Sequence, residues 1–290
     1  MSTKVWFIAG ASRGLGRVWA EAALGRGDRV VATARKIEDL AGLVRDYGDA
    51  VLPLTLDVST RESVFATVAA ARRHFGRLDV VVSNAGYALF GAIEESNERD
   101  SRAQFETNFF GTLWVVQAVL PHLRAQGSGR ILVTSSLAGI ITFPTAGVYN
   151  ATKWAVEGLI ETLSQEVADL GIHVTLVEPG GYATDWRGAS ATHTVAMPAY
   201  DSLRERLKAS YGSRSLGDPE ATAAAILKVV DEPKPPLRLF LGNAALPVAQ
   251  RVYADRLATW EAWSEVSQAA QGAEPAAPPY LTIRQDDNIV

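Results

Sequence analysis

The stretch that decides the fold is "KVWFIAGASRGLGRVWAEAALG", residues 4–25. An apolar run typical of a buried strand is followed by three glycines, Gly10, Gly14 and Gly16, and then by apolar residues at helical spacing. Glycines at a strand-to-helix turn let the backbone approach a phosphate group, and the helix N-terminus presents free N–H groups to it. The segment predicts the first strand, loop and helix of a nucleotide-binding α/β fold, with a tight turn that merely needs positive φ as the alternative.

The same alternation of strand and helix continues along the chain. Apolar strand-like runs start at residues 29, 50, 78, 130, 172 and 237, and helical patterns cover residues 15–24, 37–47, 61–75, 101–124 and 149–170. Strands that are apolar along most of their length are expected where helices cover both faces of a sheet. We therefore predict a single doubly wound Rossmann-type domain, residues 1–271, with about seven parallel strands and helices on both faces. Residues 272–290 are predicted to be a flexible C-terminal extension.

Composition narrows the function classes. The chain has 290 residues, of which 48% are hydrophobic and 21% charged, which is typical of a water-soluble globular protein. A net charge of -4 without a basic block argues against nucleic acid as a partner. The absence of cysteine and the spacing of the four histidines argue against a metal site. The first apolar run ends at glycine after six residues, so we expect neither a membrane span nor a signal peptide, and a cytoplasmic location.

A tyrosine and a lysine occur four residues apart in "YNATK", residues 149–153. On a helix Tyr149 and Lys153 would share one face, and a nearby cation favours the phenolate form of tyrosine. Ser136, at the end of the preceding strand, lies thirteen residues before Tyr149, and a serine there can donate to a developing oxyanion. Taken alone, the tyrosine–lysine spacing is common and carries little weight.

Several motifs together resemble the short-chain dehydrogenase/reductase family. "AGASRGLG", residues 9–16, resembles its TGxxxGxG loop with Ala9 in place of threonine, and "SNAG", residues 83–86, resembles its NNAG loop with Ser83 in place of asparagine. "ETNFFGTLW", residues 106–114, resembles the N-x-x-G helix segment, and "EPGGYATDW", residues 178–186, resembles the PG motif followed by threonine. The resemblance spans about residues 4–270. Within that family the sequence is similar to carbonyl reductases and hydroxysteroid dehydrogenases.

The resemblance implies an oxidoreductase that reduces an apolar ketone or aldehyde to an alcohol, or the reverse, by hydride transfer from or to a nicotinamide cofactor. It implies Tyr149 as acid/base, Ser136 as partner of the substrate oxygen, Lys153 as activator and ribose ligand, and Asn108 as holder of a relay water. Asp57 would meet the adenine amino group, although a plain helix cap is nearly as good an interpretation. The implied cofactor-binding residues are Gly10, Ser12, Arg13, Gly14, Leu15, Gly16, Arg35, Asp57, Val58, Asn84, Ala85, Gly86, Tyr149, Lys153, Pro179, Gly180 and Thr184.

The end of the second strand favours NADP(H) over NAD(H). A carboxylate at this place binds a free ribose 2′-hydroxyl, whereas arginine accommodates a 2′-phosphate. In "VVATARK", residues 30–36, Ala34 replaces the acid and Arg35 follows, with Arg13 in the glycine loop able to approach the same point. Two solvated surface arginines are the alternative.

Residues 186–215, small and polar before turning helical, are predicted to form a substrate lid. Phe143, Pro144, Tyr182, Trp186 and Met197 are candidate pocket walls. Family members usually pair through the helices at 101–124 and 149–170, so a homodimer or homotetramer is expected. A second hypothesis remains open, a non-catalytic NADP-binding regulatory or interaction protein on the same fold.

Overall fold

Seven parallel strands form the central sheet of the computed structural model, which describes residues 3–188, 190–211 and 215–272. The strands are β1 (Val5–Ala9), β2 (Arg29–Ala34), β3 (Val51–Thr55), β4 (Val80–Ser83), β6 (Gly129–Thr134), β7 (Ile172–Pro179) and β9 (Arg238–Leu241). Their order is β3-β2-β1-β4-β6-β7-β9, and every neighbouring pair is parallel. The chain changes direction across the sheet between β1 and β4, which is where this class of sheet binds ligands.

Helices cover both faces of this sheet. The α-helices are α1 (Gly14–Gly25), α2 (Ala41–Tyr47), α3 (Arg61–Phe75), α4 (Glu98–Phe105), α5 (Gly111–Gln126), α6 (Gly147–Glu166), α7 (Asp201–Tyr211), α8 (Thr222–Asp231), α9 (Ala245–Ala262) and α10 (Ser264–Gln271). One core cluster packs α3, α5 and α6 on the sheet, and the other packs α1, α2 and α8 on the opposite face. The doubly wound fold with seven parallel strands is thus confirmed.

Burial on both faces explains the apolar strand sequences. All five residues of β1 and all four of β4 are buried, so neither strand shows the alternation of a sheet with one wet face. Two parallel strands are usually connected through a helix, so strands and helices alternate along the chain. The 3-10 turn that leads into α8 is capped by Asp218, which accepts a hydrogen bond from the Glu220 N–H, with Pro219 in the first turn.

The structure differs from the predicted elements in two places near the carboxyl edge of the sheet. The predicted helix at 101–124 is interrupted by a π-helical segment, Glu106–Phe110, between α4 and α5. Two short parallel strands, β5 (Leu89–Phe90) and β8 (Thr192–His193), also pair with each other outside the main sheet. Two-residue strands have too few residues to show a period in the sequence.

The chain divides into one unit up to Leu246 and a second from Pro247. The second unit, as far as it is described, is helical and contains most of α9 and all of α10. The single domain boundary at residue 271 stays a prediction. The predicted extension beyond Gly272 lies outside the described residues. Within the described residues, none of the helices combines the length and the hydropathy that crossing a bilayer requires.

Candidate active site

The glycine loop leaves β1 at the point where the sheet order reverses. Gly10 has a φ of 87° and Gly14 a φ of 57°, conformations that favour glycine. A Cβ on Gly16 would lie 2.0 Å from the Gly10 carbonyl oxygen and 2.5 Å from Asn84 Nδ2. The first two glycines therefore shape the turn, and the third lets α1 approach the loop.

The N-terminus of α1 is open to a ligand. Arg13 occupies the N-cap position but makes no side-chain hydrogen bond to the first turn, which also contains no acidic residue. Backbone N–H groups and the positive end of the helix dipole are thus available to an anion. A glycine cradle and an uncapped helix end fit the pyrophosphate of a nicotinamide dinucleotide.

Asn84 connects this loop to the catalytic side of the site. Its Nδ2 donates to the Gly10 carbonyl oxygen at 2.8 Å, and its Oδ1 accepts from Thr134 Oγ1 at 3.1 Å. The Thr134 carbonyl oxygen in turn accepts from Lys153 Nζ at 2.6 Å. Asn84 therefore links the glycine loop to the end of β6.

Tyr149 lies in the first turn of α6 and is 5% exposed. Its hydroxyl is in hydrogen-bonding reach of Ser136, while Ser135 is buried on the other side of the strand end with no partner for its Oγ among the described residues. Burial raises the pKa of Tyr149 to about 12, and the Ser136 hydrogen bond opposes that rise. The phenol is therefore protonated at neutral pH.

Lys153 is buried one turn after Tyr149, with Nζ 5.9 Å from the centre of the tyrosine ring. Burial lowers the pKa of Lys153 to about 8, with the charge of Glu157 acting in the opposite direction. The sequence led us to expect a depressed tyrosine pKa, but burial of the phenol dominates and the ammonium group is held at the Thr134 carbonyl. Tyrosine and lysine do share one face of the helix.

Asn108 lies inside the π-helical segment, and such segments are frequent at functional sites. Its side chain accepts from the Tyr87 N–H at 3.1 Å and donates to the Tyr87 carbonyl at 3.0 Å and to Thr152 Oγ1 at 3.1 Å. A Cβ on Gly86 would be 3.2 Å from Asn108 Oδ1 and 3.8 Å from Lys153 Nζ. Asn108 thus fixes the loop after β4 against α6, and its role in a water relay stays a prediction.

The other predicted cofactor residues lie along the same edge of the sheet. Arg35 is exposed directly after β2, and Arg13 Nη1 is 3.8 Å from Asp185 Oδ2, directly before the predicted lid. Asp57 Oδ1 accepts from the Ser59 N–H at 3.0 Å and hydroxyl at 2.7 Å. The N-cap of α3 is Thr60 instead, so the helix-cap interpretation of Asp57 is wrong, and its contact with adenine stays a prediction. The remaining predicted positions lie in the loops after β1, β3, β4 and β7 or at the ends of the elements that these loops join: Ser12, Leu15, Val58, Ala85, Pro179, Gly180 and Thr184.

The substrate side of Tyr149 is aromatic. The Trp186 ring packs edge-on against Tyr149 with centroids 5.0 Å apart and against Phe90 at 5.5 Å. Phe143 packs on the same cluster, whose buried members besides Tyr149 are Ala88, Ala138 and Ala146. Of the other candidate walls, Tyr182 instead packs on the core beside α1 and α8, Pro144 is exposed, and Met197 lies at the lid anchor described next.

Glu95 anchors the segment that is predicted to form the lid, and no local sequence pattern indicates this contact. Its carboxylate accepts from the Ala92 N–H at 2.7 Å, the Met197 N–H at 2.7 Å, Arg204 Nη1 at 2.6 Å and Thr194 Oγ1 at 3.3 Å. The Met197 N–H bond and the Arg204 guanidinium lower the pKa of Glu95 to about 2. The anchor is therefore complete above the ordinary pKa of a glutamate and is lost as the pH falls towards 2.

We expect Glu95→Gln to loosen the lid and to raise the KM for a carbonyl substrate about tenfold with a smaller change in kcat, because charge-assisted bonds to the lid are lost. Steady-state kinetics and limited proteolysis between residues 190 and 211 measure this. Glu94→Gln is the matched control, since Glu94 makes one exposed contact, with the Tyr200 hydroxyl. Equal KM values for the two variants would contradict the anchoring role.

The described residues contain no group of three or more histidine, aspartate or glutamate side chains arranged to hold a metal ion. The site thus consists of a backbone cradle for a dinucleotide beside a tyrosine, a serine and a lysine.

Comparison with known proteins agrees with this geometry. The family model described as short chain dehydrogenase matches residues 4–194. Oxidoreductase BOA17 of Botryotinia fuckeliana is 45% identical, over 92% of this chain and 99% of the relative. A short-chain dehydrogenase structure from Streptomyces avermitilis has a TM-score of 0.86 at 39% identity, covering 93% of this chain and 98% of that one.

Solved relatives contain both nicotinamide cofactors. An alcohol dehydrogenase from the archaeon Thermococcus sibiricus, complexed with 5-hydroxy-NADP, is 30% identical with a TM-score of 0.69, covering 84% of this chain and 98% of that one. Other similar structures are complexes with NAD, NADH or NADP. The family match covers more than half of the chain. The chain belongs to the short-chain dehydrogenase/reductase family of oxidoreductases.

Proposed function

We propose that the protein is an NADP(H)-dependent oxidoreductase that interconverts an apolar ketone or aldehyde and its alcohol. The observation that carries the proposal is the burial of the Tyr149 phenol in the first turn of α6, with Lys153 buried one helical turn away and Ser136 directly before the 3-10 turn that follows β6. A bound nicotinamide supplies the hydride in this chemistry. The side chains then have to orient the carbonyl oxygen and supply its proton.

Tyr149 is suited to give that proton. Its pKa is raised, so it holds its proton at neutral pH and can act as a general acid towards a carbonyl oxygen. Ser136 Oγ accepts from the Ala138 N–H at 3.0 Å, which fixes the oxygen while leaving its own hydrogen to donate to the substrate. A charged Lys153 stabilises the phenolate that remains.

Preference for NADP(H) rests on residues of this chain. Ala34 ends β2 where a carboxylate would repel a 2′-phosphate, and exposed Arg35 follows it. The Thermococcus sibiricus relative was solved with an NADP derivative, which supports the same choice. Binding would involve the Arg35 guanidinium, with Arg13 of the glycine loop as a second donor.

We expect Arg35→Asp to shift the ratio of kcat/KM for NADPH over NADH by about a hundredfold towards NADH, because a charge-assisted contact is exchanged for repulsion. Steady-state kinetics with both cofactors measure the ratio. Arg29→Asp is the control, because Arg29 is exposed at the opposite end of the same strand. An unchanged ratio in Arg35→Asp would show that Arg35 only faces solvent.

Alanine and aromatic side chains surround Tyr149, so we propose an apolar substrate. Loss of absorbance at 340 nm, with NADPH and a panel of aldehydes and ketones, tests the function. Turnover of apolar carbonyl compounds supports it. NADPH binding without turnover on any of them would favour the non-catalytic binding protein instead.

We also propose a homodimer or homotetramer that pairs through α5 and α6. Stacked Phe110 and Trp114, with ring centroids 5.8 Å apart, and the partly exposed Trp154 provide aromatic surface on these helices. Light scattering of the purified protein tests this, and a monomeric mass would contradict it. A cytoplasmic location stays a prediction.

A further inference from the structure

Two glutamates face each other beneath the catalytic residues. Glu157 lies on α6, four residues after Lys153, and Glu178 is the residue before Pro179 at the end of β7. Glu157 is 5% exposed and Glu178 is 0% exposed. Neither takes part in the mechanism proposed above, yet both are as deeply buried as Tyr149.

Arg238 on β9 joins the two glutamates from the edge of the sheet. Its Nε is 3.0 Å from Glu157 Oε2 and 3.5 Å from Glu178 Oε1, and its Nη2 donates to Glu161 Oε2 at 2.8 Å. One guanidinium therefore faces three carboxyl groups, of which only Glu161 is largely in contact with water. A single positive charge is too little for two buried carboxylates.

The carboxyl oxygens of the two glutamates also have too few hydrogen-bond donors. Within the described part of the chain, Glu157 Oε1 and both Glu178 oxygens have no hydrogen-bond donor if both groups are ionised. Both carboxyl groups lie against the Nε of Arg238, and burial together with the charge of Glu157 raises the pKa of Glu178. One proton between them turns the repulsion of two carboxylates into an O–H···O⁻ hydrogen bond.

The pair also contacts the turn that carries Ser136. A Cβ on Gly139 would lie 2.8 Å from Glu157 Cγ, 3.1 Å from Glu157 Oε1 and 2.8 Å from Ser135 Oγ. Gly139 ends the 3-10 turn Leu137–Gly139 that begins directly after Ser136. The glycine thus makes room for the Glu157 carboxyl group below the turn.

We propose that Glu157 and Glu178 share one proton, and that the single negative charge left on the pair stabilises the ammonium form of Lys153. Glu157 is then a positioning residue that keeps the lysine charged during the reaction, an inference that rests on the proposed function. The charged and titratable groups around it are Tyr149, Lys153 and Glu161 on α6, Glu178 on β7 and Arg238 on β9.

Replacing Glu157 is expected to lower the pH at which Lys153 loses its proton. Burial already lowers the pKa of Lys153, and the charge of Glu157 raises it. Glu157→Gln moves the remaining negative charge from α6, one helical turn after Lys153, to Glu178 on β7, so the lysine loses its proton at lower pH. We expect the alkaline limb of kcat/KM for carbonyl reduction to move down by about 1 pH unit, as for removal of an opposite charge within a few ångströms. Glu161→Gln, which removes another partner of Arg238 at the surface, should leave the limb in place.

Infrared spectroscopy of the protein without substrate reports the shared proton directly. We expect the C=O stretching band of a protonated carboxyl group at pH 7, and we expect Glu178→Gln to abolish it. In that variant Glu157 keeps its charge, so the alkaline limb should stay within about 0.3 pH units of the wild type. Thermal unfolding of each variant shows whether the fold is intact.

The outcomes separate this inference from the proposed function. A missing band in the wild type, or one that persists in Glu178→Gln, overturns the proton pair whatever the turnover. An active and folded Glu157→Gln variant with an unmoved alkaline limb overturns the coupling to Lys153. A wild type that shows the band but turns over no carbonyl compound overturns the proposed function and leaves the pair intact.

Discussion

Tyr149→Phe is expected to lower kcat for carbonyl reduction by about a thousandfold, in the range of a lost general acid. The change removes the hydroxyl that Ser136 contacts and keeps the ring, which packs on Trp186 and in the cluster with Ala138 and Ala146. Removing a buried hydroxyl without changing the packing should leave the fold intact. Kinetics at saturating NADPH measure the loss.

Cofactor affinity is the internal control for this variant. The glycine loop and the open end of α1 are untouched, so the NADPH dissociation constant from fluorescence titration should stay within about threefold of the wild type. Tyr200→Phe is a matched control, because the Tyr200 hydroxyl bonds only Glu94 at 2.6 Å on the exposed outer side of the lid. If Tyr149→Phe kept most of the turnover, another group would have to supply the proton.

Gly16→Ala is expected to abolish tight NADPH binding. The new Cβ would lie 2.0 Å from the Gly10 carbonyl oxygen, so the backbone of the loop has to shift. Overpacking of this kind costs about 1–3 kcal/mol, and for a chain of this size each kcal/mol lowers Tm by roughly 2–4 °C. We expect a lower Tm and an NADPH affinity reduced by at least about tenfold, because the phosphate cradle is displaced.

Gly25→Ala is the matched control in the same helix. Nothing lies within 4 Å of a Cβ at Gly25, and alanine is the better helix former by up to about 1 kcal/mol. This variant should bind NADPH like the wild type, with an unchanged or slightly higher Tm. An unaltered NADPH affinity in Gly16→Ala would mean that the cofactor does not use this loop.

The parts of the structure that could be predicted are those with a local signal. The glycine loop combines a strand, three glycines and a helix within 22 residues, and the structure reproduces each of these elements. Tyr149 and Lys153 are one helical turn apart, and the strand direction selects Ser136 over Ser135 at the tyrosine. Near-continuous apolar strands likewise indicated a sheet covered on both faces.

The parts that could not be predicted depend on residues far apart in the chain. Glu95 meets Arg204 across 109 positions, and Arg238 meets Glu157 across 81, so no window of sequence contains both partners. Contacts to backbone groups are equally hard to predict from a sequence, because every residue has the same backbone. The bond from Lys153 to the Thr134 carbonyl is an example. The pKa of Tyr149 likewise depends on how deeply the fold buries the phenol, which no local sequence pattern shows.

Transfer of deuterium from cofactor to product tests the central claim most directly. NADPH deuterated at C4, with each face labelled separately, would be incubated with an apolar ketone that the wild type turns over, and the alcohol analysed by mass spectrometry. We predict one deuterium on the carbinol carbon from one of the two faces, with at most trace transfer by Tyr149→Phe. NADPH binding with no deuterium in any product from either face would contradict the account.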